Sequence, residues 1–123
     1  MERLFVYGTL RRGGGMHSLL DGCRLHAEAT VRGSLFDLGT YPALVLDDRG
    51  TVHGEVWECP RETLLRLDSY EGVGEGLFRR VRIEVGSVPC WTYIAGPRLR
   101  SRIASAPTLD RGRWPLPPPP NAP

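Results

Sequence analysis

Apolar positions along the chain recur mostly at strand spacing. Arg3 to Tyr7 is a short apolar-aromatic run cut off by Gly8, which predicts a strand entering a tight turn. From Cys23 to Val31 the pattern alternates: Cys23, Leu25, Ala27, Ala29 and Val31 share one face, and Arg24, His26, Glu28 and Thr30 the other. That is the period of a half-buried strand with His26 on the wet side. Residues 33–39 and 43–46 predict two further short strands around Thr40-Tyr41-Pro42. Asp47-Asp48-Arg49-Gly50 predicts a turn into a strand over Thr51–Cys59. Phe78–Val85 and Val88–Ala95 predict a hairpin about Gly86-Ser87.

Helical spacing is rarer. Pro60 suits the first helical position, Leu64, Leu65 and Leu67 predict a buried stripe, and Gly72 predicts the C-terminal stop. Met16 to Leu20 is expected to make one helical turn after the glycine run Gly13-Gly14-Gly15. Beyond Gly96-Pro97 the periodicity fades, with Trp114 as the last core anchor and Leu116 beside it. The prolines from 115 onward lack backbone donors and favour polyproline II. The expectation is one α+β domain over residues 1–114, a small, strongly bent sheet or barrel of short strands with one main helix. A proline-rich tail over 115–123 follows.

Composition narrows the classes. The 123 residues suffice for one core, and 41% hydrophobic with 24% charged residues is an ordinary globular balance. Glycine and proline supply 26 positions, which favours a turn-rich sheet protein over a helical bundle. No apolar run approaches the ~20 residues that span a bilayer, and the N-terminus does not read as a signal peptide. Cys23, Cys59 and Cys90 are odd in number and widely spaced, so they predict free thiols in a reducing cytoplasm. His17, His26 and His53 form no ligand spacing, so no metal is expected.

The net charge of +2 is too small to predict a nucleic-acid or membrane partner. Residues 98–113, however, carry +4, leaving −2 for the rest. No aromatic residues interleave these arginines as a stacking platform requires, so the segment is expected to be a solvated tail.

Two places can carry chemistry. Gly8 to Gly15 follows a strand but has no lysine and no phosphate-loop spacing. What remains is a turn whose backbone N–H groups can bind a carboxylate or oxyanion, or simply connect two elements. The second is Asp68-Ser69-Tyr70-Glu71-Gly72. A carboxylate at a helix C-terminus opposes the helix dipole, so Glu71 is placed against local preference, and dipole and burial would both raise its pKa toward acid/base use. Asp68 and Glu75 are its rivals, with Asp68 expected to bond nearby backbone. No nucleophile elbow or activated cysteine is visible.

Tyr7-Gly8-Thr9-Leu10 and Leu67-Asp68-Ser69-Tyr70-Glu71-Gly72, taken together, resemble the γ-glutamylcyclotransferase-like superfamily, in particular its small γ-glutamylamine cyclotransferase/AIG2-like branch. Residues 33–44, Val52-His53-Gly54-Glu55-Val56-Trp57 and Phe78-Arg79-Arg80-Val81 match in the same order, so the likeness spans 3–95 with an echo at Trp114. It implies a compact mixed β-barrel with short flanking helices that converts a γ-glutamyl amine, amino acid or peptide to 5-oxoproline and the free amine without a cofactor. On it, Glu71 is the expected acid/base, and Tyr7, Gly8, Thr9, Leu10, Tyr41 and Phe78 are expected to hold the small-molecule γ-glutamyl substrate. Phe78 departs from the family's usual tyrosine, which would alter specificity or weaken activity. The alternative is a non-catalytic module that binds a small carboxylate-bearing metabolite in the same pocket.

Overall fold

The computed structural model describes residues 1–117. Its chain order is β1 (Glu2–Val6), a 3-10 turn (His17–Leu20), β2 (Arg24–Arg32), β3 (Ser34–Asp37), β4 (Pro42–Val45) and β5 (Thr51–Cys59). It continues through α1 (Arg61–Tyr70), β6 (Phe78–Val85), β7 (Val88–Ala95), a 3-10 turn (Pro97–Leu99) and α2 (Arg100–Ser105). Five strands form one sheet in the order β2-β5-β1-β7-β6, and β3 and β4 form a separate hairpin. β1 lies in the middle, antiparallel to β5 with Leu4 opposite Trp57, and parallel to β7 with Leu4 opposite Trp91.

That central place explains the unbroken apolar run in β1, because a strand covered on both faces has no wet side. Leu4 and Val6 pack with Trp57, Cys59 and Tyr93 against Leu64 and Leu67 of α1 and Leu10 and Leu20 of the glycine-rich loop. Phe5 and Tyr7 pack on the opposite face with Val52, Val56, Val85 and Cys90 against Leu35 and Leu44 of the hairpin. Strands that alternate between two covered faces thus tie both layers together, and the end of β1 emerges between them.

Five sequence expectations change. The barrel is not closed: β2 and β6 are edges of the sheet among the described residues. The β3–β4 hairpin pairs with itself and, through Phe36, with Thr108. The even alternation of β2 breaks at a bulge between Leu25, opposite Trp57, and Ala27, opposite Val56. An extra residue shifts the side-chain phase there, so Leu25 packs on the first core layer while Ala29 and Val31, beyond the bulge, pack on the second. In α1, Leu65 is 53% exposed and Thr63 takes its place in the core, since the inward stripe runs through Thr63, Leu64 and Leu67. Pro60 stands at the N-cap, one position before the first helical residue.

The fifth change concerns the C-terminal stretch, which is a strap rather than a solvated tail. Leu99 is buried, and α2 follows it. Beyond α2, Asp37 donates its N–H to Pro107 O at 2.9 Å, Leu109 donates to Leu35 O at 2.9 Å, and His53 donates to Gly112 O at 2.9 Å. Leu109 and Trp114 pack on the second core layer. Residues 115–117 have no regular structure, and the rest of the proline-rich stretch lies outside the described residues. No helix is long and apolar enough to cross a membrane among the described residues.

Candidate active site

Three chain reversals build one cavity. At the end of β1 the chain turns through Tyr7-Gly8-Thr9-Leu10, closed by the Arg11 N–H donating to Gly8 O at 3.2 Å. The Arg11 side chain, 8% exposed, secures the turn: Nε donates to Gly8 O at 3.2 Å and another guanidinium nitrogen donates to Trp114 O. Glycine is required at position 8 because a Cβ there would lie 2.8 Å from Pro42 Cγ. The amides of Gly8, Thr9 and Leu10 donate to no backbone carbonyl among the described residues. At the end of α1, Glu71 donates its N–H to Leu67 O at 2.7 Å and Gly72 takes φ +66°, which reverses the chain. The third reversal, between β3 and β4, brings in Tyr41 and Pro42.

The cavity holds about 230 Å3. Its wall includes Tyr7, Gly8, Thr9, Leu10, Tyr41, Glu71 and Phe78, so the fold brings every sequence-predicted site residue to one place. Phe5, Val6, Pro42, Tyr70, Leu77 and Tyr93 complete it. Glu71 is the one charged residue among these. It makes no ion pair among the described residues, and burial pushes its carboxyl from 4.5 up to about 7.

The three rivals separate cleanly. Asp68 does not bond backbone; it accepts from Arg80 at 2.8 and 3.1 Å and from the Tyr93 hydroxyl at 2.7 Å. Glu75 is exposed in the loop after Gly72 and lies outside the cavity wall. Glu71 alone combines burial, absence of a counter-charge and access to the cavity.

Around it the hydroxyls are ordered. Tyr7 donates to Tyr93 O at 2.6 Å and accepts from the Leu44 N–H at 3.3 Å, so its hydroxyl holds the wall together. Burial and the Glu71 charge both push the Tyr7 phenol up. The Tyr70 phenol is raised by burial and by Glu71, and eased back by the Thr9 hydroxyl. Phe78 offers no hydroxyl; its ring packs on Tyr41 with centroids 5.9 Å apart.

Sequence reasoning missed Arg11, Tyr70, Leu77 and Tyr93. Tyr70 was readable as the neighbour of Glu71. Tyr93 is an inward position of a strand, where a core tyrosine and a pocket tyrosine look alike. Arg11 gave no signal, because a buried arginine that secures a turn reads as a surface cation.

Chemically, the cavity offers a carboxyl that titrates near neutrality, unpaired backbone donors and aromatic walls. That set can bind a small acid and move a proton on it.

Known proteins share this sequence pattern and fold. Residues 4–116 match the model of the family described as gamma-glutamyl cyclotransferase, AIG2-like. The gamma-L-glutamyl-butirosin B gamma-glutamyl cyclotransferase of Niallia circulans is 40% identical over 105 residues, covering 76% of this chain and 67% of that protein. The solution structure of protein ytfP from Escherichia coli superposes with a TM-score of 0.70 at 30% identity, covering 91% of this chain and 95% of that one. An AIG2-like protein from Mus musculus shares the fold, with a TM-score of 0.76 at 24% identity over 99% of each chain. The match over nearly the full described length shows that this chain belongs to the AIG2-like gamma-glutamyl cyclotransferase family and is an enzyme of that kind.

Proposed function

We propose that the enzyme converts a γ-glutamyl amine, amino acid or peptide to 5-oxoproline and the free amine, with Glu71 as the general acid/base. The observation that carries this reading is Glu71 itself, a carboxyl raised to about 7 in the wall of the cavity that the Gly8–Leu10 turn also lines.

At neutral pH the substrate's α-amino group is protonated and cannot attack. The Glu71 carboxylate removes one proton, and the freed nitrogen forms a bond to the γ-carbonyl carbon of the same molecule. The carbonyl electron pair moves to oxygen, giving a tetrahedral oxyanion. The C–N bond to the departing amine then breaks as that nitrogen takes the proton back from Glu71 and the carbonyl re-forms. The ring nitrogen passes its second proton through the Glu71 carboxylate to the released amine, which leaves as an ammonium ion. Nothing is oxidised or reduced, and no atom is left over. The attack is intramolecular, so a cavity that holds the glutamyl chain folded supplies much of the acceleration. The free amides of Gly8, Thr9 and Leu10 suit the oxyanion or the substrate's α-carboxylate. Aromatic walls from Tyr7, Tyr41 and Phe78 exclude water from the folded chain. The three free thiols, with Cys59 and Cys90 buried, suit a reducing cytoplasm.

The test is direct. A panel of γ-glutamyl amines, amino acids and dipeptides is incubated with the full chain, and 5-oxoproline is measured. Product from at least one class supports the reading; saturable binding without product across the panel overturns it.

A further inference from the structure

The basic stretch that begins at Arg98 reaches the rim of the cavity. Arg102, on α2, donates from one guanidinium nitrogen to Tyr41 Oη at 2.9 Å and from another to Leu38 O at 2.8 Å. Its carbon Cζ lies 5.5 Å from the centre of the Tyr41 ring. Arg98, on the same segment, lays its stem against Gly76, beside the wall residue Leu77. One guanidinium therefore borders the wall, at Tyr41, while the Arg98 stem packs behind the loop that carries Leu77.

The hydrogen-bond direction at Tyr41 matters most. Its oxygen accepts from a guanidinium, which draws electron density from the O–H bond and makes that bond a stronger donor. Tyr7 and Tyr93 give their own protons to Tyr93 O and to Asp68. Among the described residues no acceptor takes the Tyr41 proton. A polarised donor on the wall, with positive charge behind it, suits a carboxylate. With the γ-glutamyl group's own carboxylate held by the Gly8–Leu10 amides, the rim is left for the other end of the substrate.

We propose that Tyr41, held and polarised by Arg102, recognises a carboxylate on the departing amine. The enzyme then favours γ-glutamyl amino acids and peptides over γ-glutamyl derivatives of simple amines. This rests on the reading of the cavity given above. Tyr41 acts as the specificity-determining donor, and Arg102 is a positioning residue that works through it.

The experiment compares γ-glutamylalanine with γ-glutamylethylamine, which differ by the carboxylate alone. The wild-type chain is expected to show kcat/KM for 5-oxoproline release about tenfold higher on the carboxylate-bearing substrate, the scale of one charged hydrogen bond. Tyr41→Phe and Arg102→Met should each bring the ratio near one, and Arg102→Lys should keep part of it, because an ammonium can still donate to Oη. A general loss of packing would lower both rates together and leave the ratio intact. The inference is overturned if the wild-type ratio is near one, or if neither Tyr41→Phe nor Arg102→Met changes it. Release of 5-oxoproline with no discrimination removes this inference alone. Absence of product from these substrates and from the whole panel removes the cyclotransferase reading and this inference with it.

Discussion

Asp68 and Glu71 stand one helical turn apart on the same element, and their surroundings give them opposite tasks. Asp68 is met by a bidentate guanidinium and a phenol, so its charge is compensated and its oxygens are occupied. Glu71, at the last turn, meets cavity wall and no cation among the described residues, and burial raises its carboxyl to about 7. A group with saturated partners holds structure. A group denied partners, yet open to a cavity, can exchange a proton.

The comparison breaks most sharply by removing the acid/base while keeping its shape. Glu71→Gln is expected to fold, bind a γ-glutamyl analogue and lose at least ~10²-fold in turnover, the usual scale of general acid/base catalysis. Asp68→Asn should do the reverse. It leaves Arg80 without its carboxylate and is expected to lower unfolding stability by about 2 kcal/mol, read by denaturant titration, with a milder loss of turnover. Should Asp68→Asn prove the more damaging to turnover, the two assignments exchange places.

Stability against pH sharpens the same contrast. A raised folded-state pKa means that Glu71 favours folding fully below 4.5, and that this contribution is lost as pH rises through about 7. Glu71→Gln carries no such loss. Its stability relative to wild type is therefore expected to climb between pH 4.5 and 8, by on the order of 2 kcal/mol once solvent screening of a half-buried group is allowed for. A difference that stays flat over that window would mean Glu71 is not held out of water.

The strap gives a smaller effect and a control. A chain ending at Leu116 keeps the Trp114 carbonyl that Arg11 holds, and is expected to retain stability and turnover. A chain ending at Ala106 loses the contacts to Leu35, Asp37 and His53, and should melt at a lower temperature.

Much of this arrangement was legible before the fold. The strands at Thr51–Cys59, Phe78–Val85 and Val88–Ala95 carry strong β-branched runs between clear turns, and they appear with those bounds. The Glu71 anomaly was readable because a glutamate before a helix-ending glycine defies local electrostatics. Other features depend on contacts distant in sequence. The β2 bulge follows from pairing to β5, which no local alternation reveals. Arg102 looked like tail charge because its partners, Leu38 and Tyr41, come from another hairpin. The task of Asp68 depends on Arg80 and Tyr93, which reach it from two other strands. Local pattern identifies elements; the division of labour between two carboxylates comes from what packs around them.

The pH profile of kcat/KM for 5-oxoproline release tests the central claim most directly. The base must be ionised to accept a proton, so activity is expected to fall on the acid side with an apparent pKa about 7. That limb should vanish from the residual activity of Glu71→Gln. An acid limb near 4.5 in the wild type, or one that survives unchanged in Glu71→Gln, would contradict the assignment of Glu71 and place the base elsewhere.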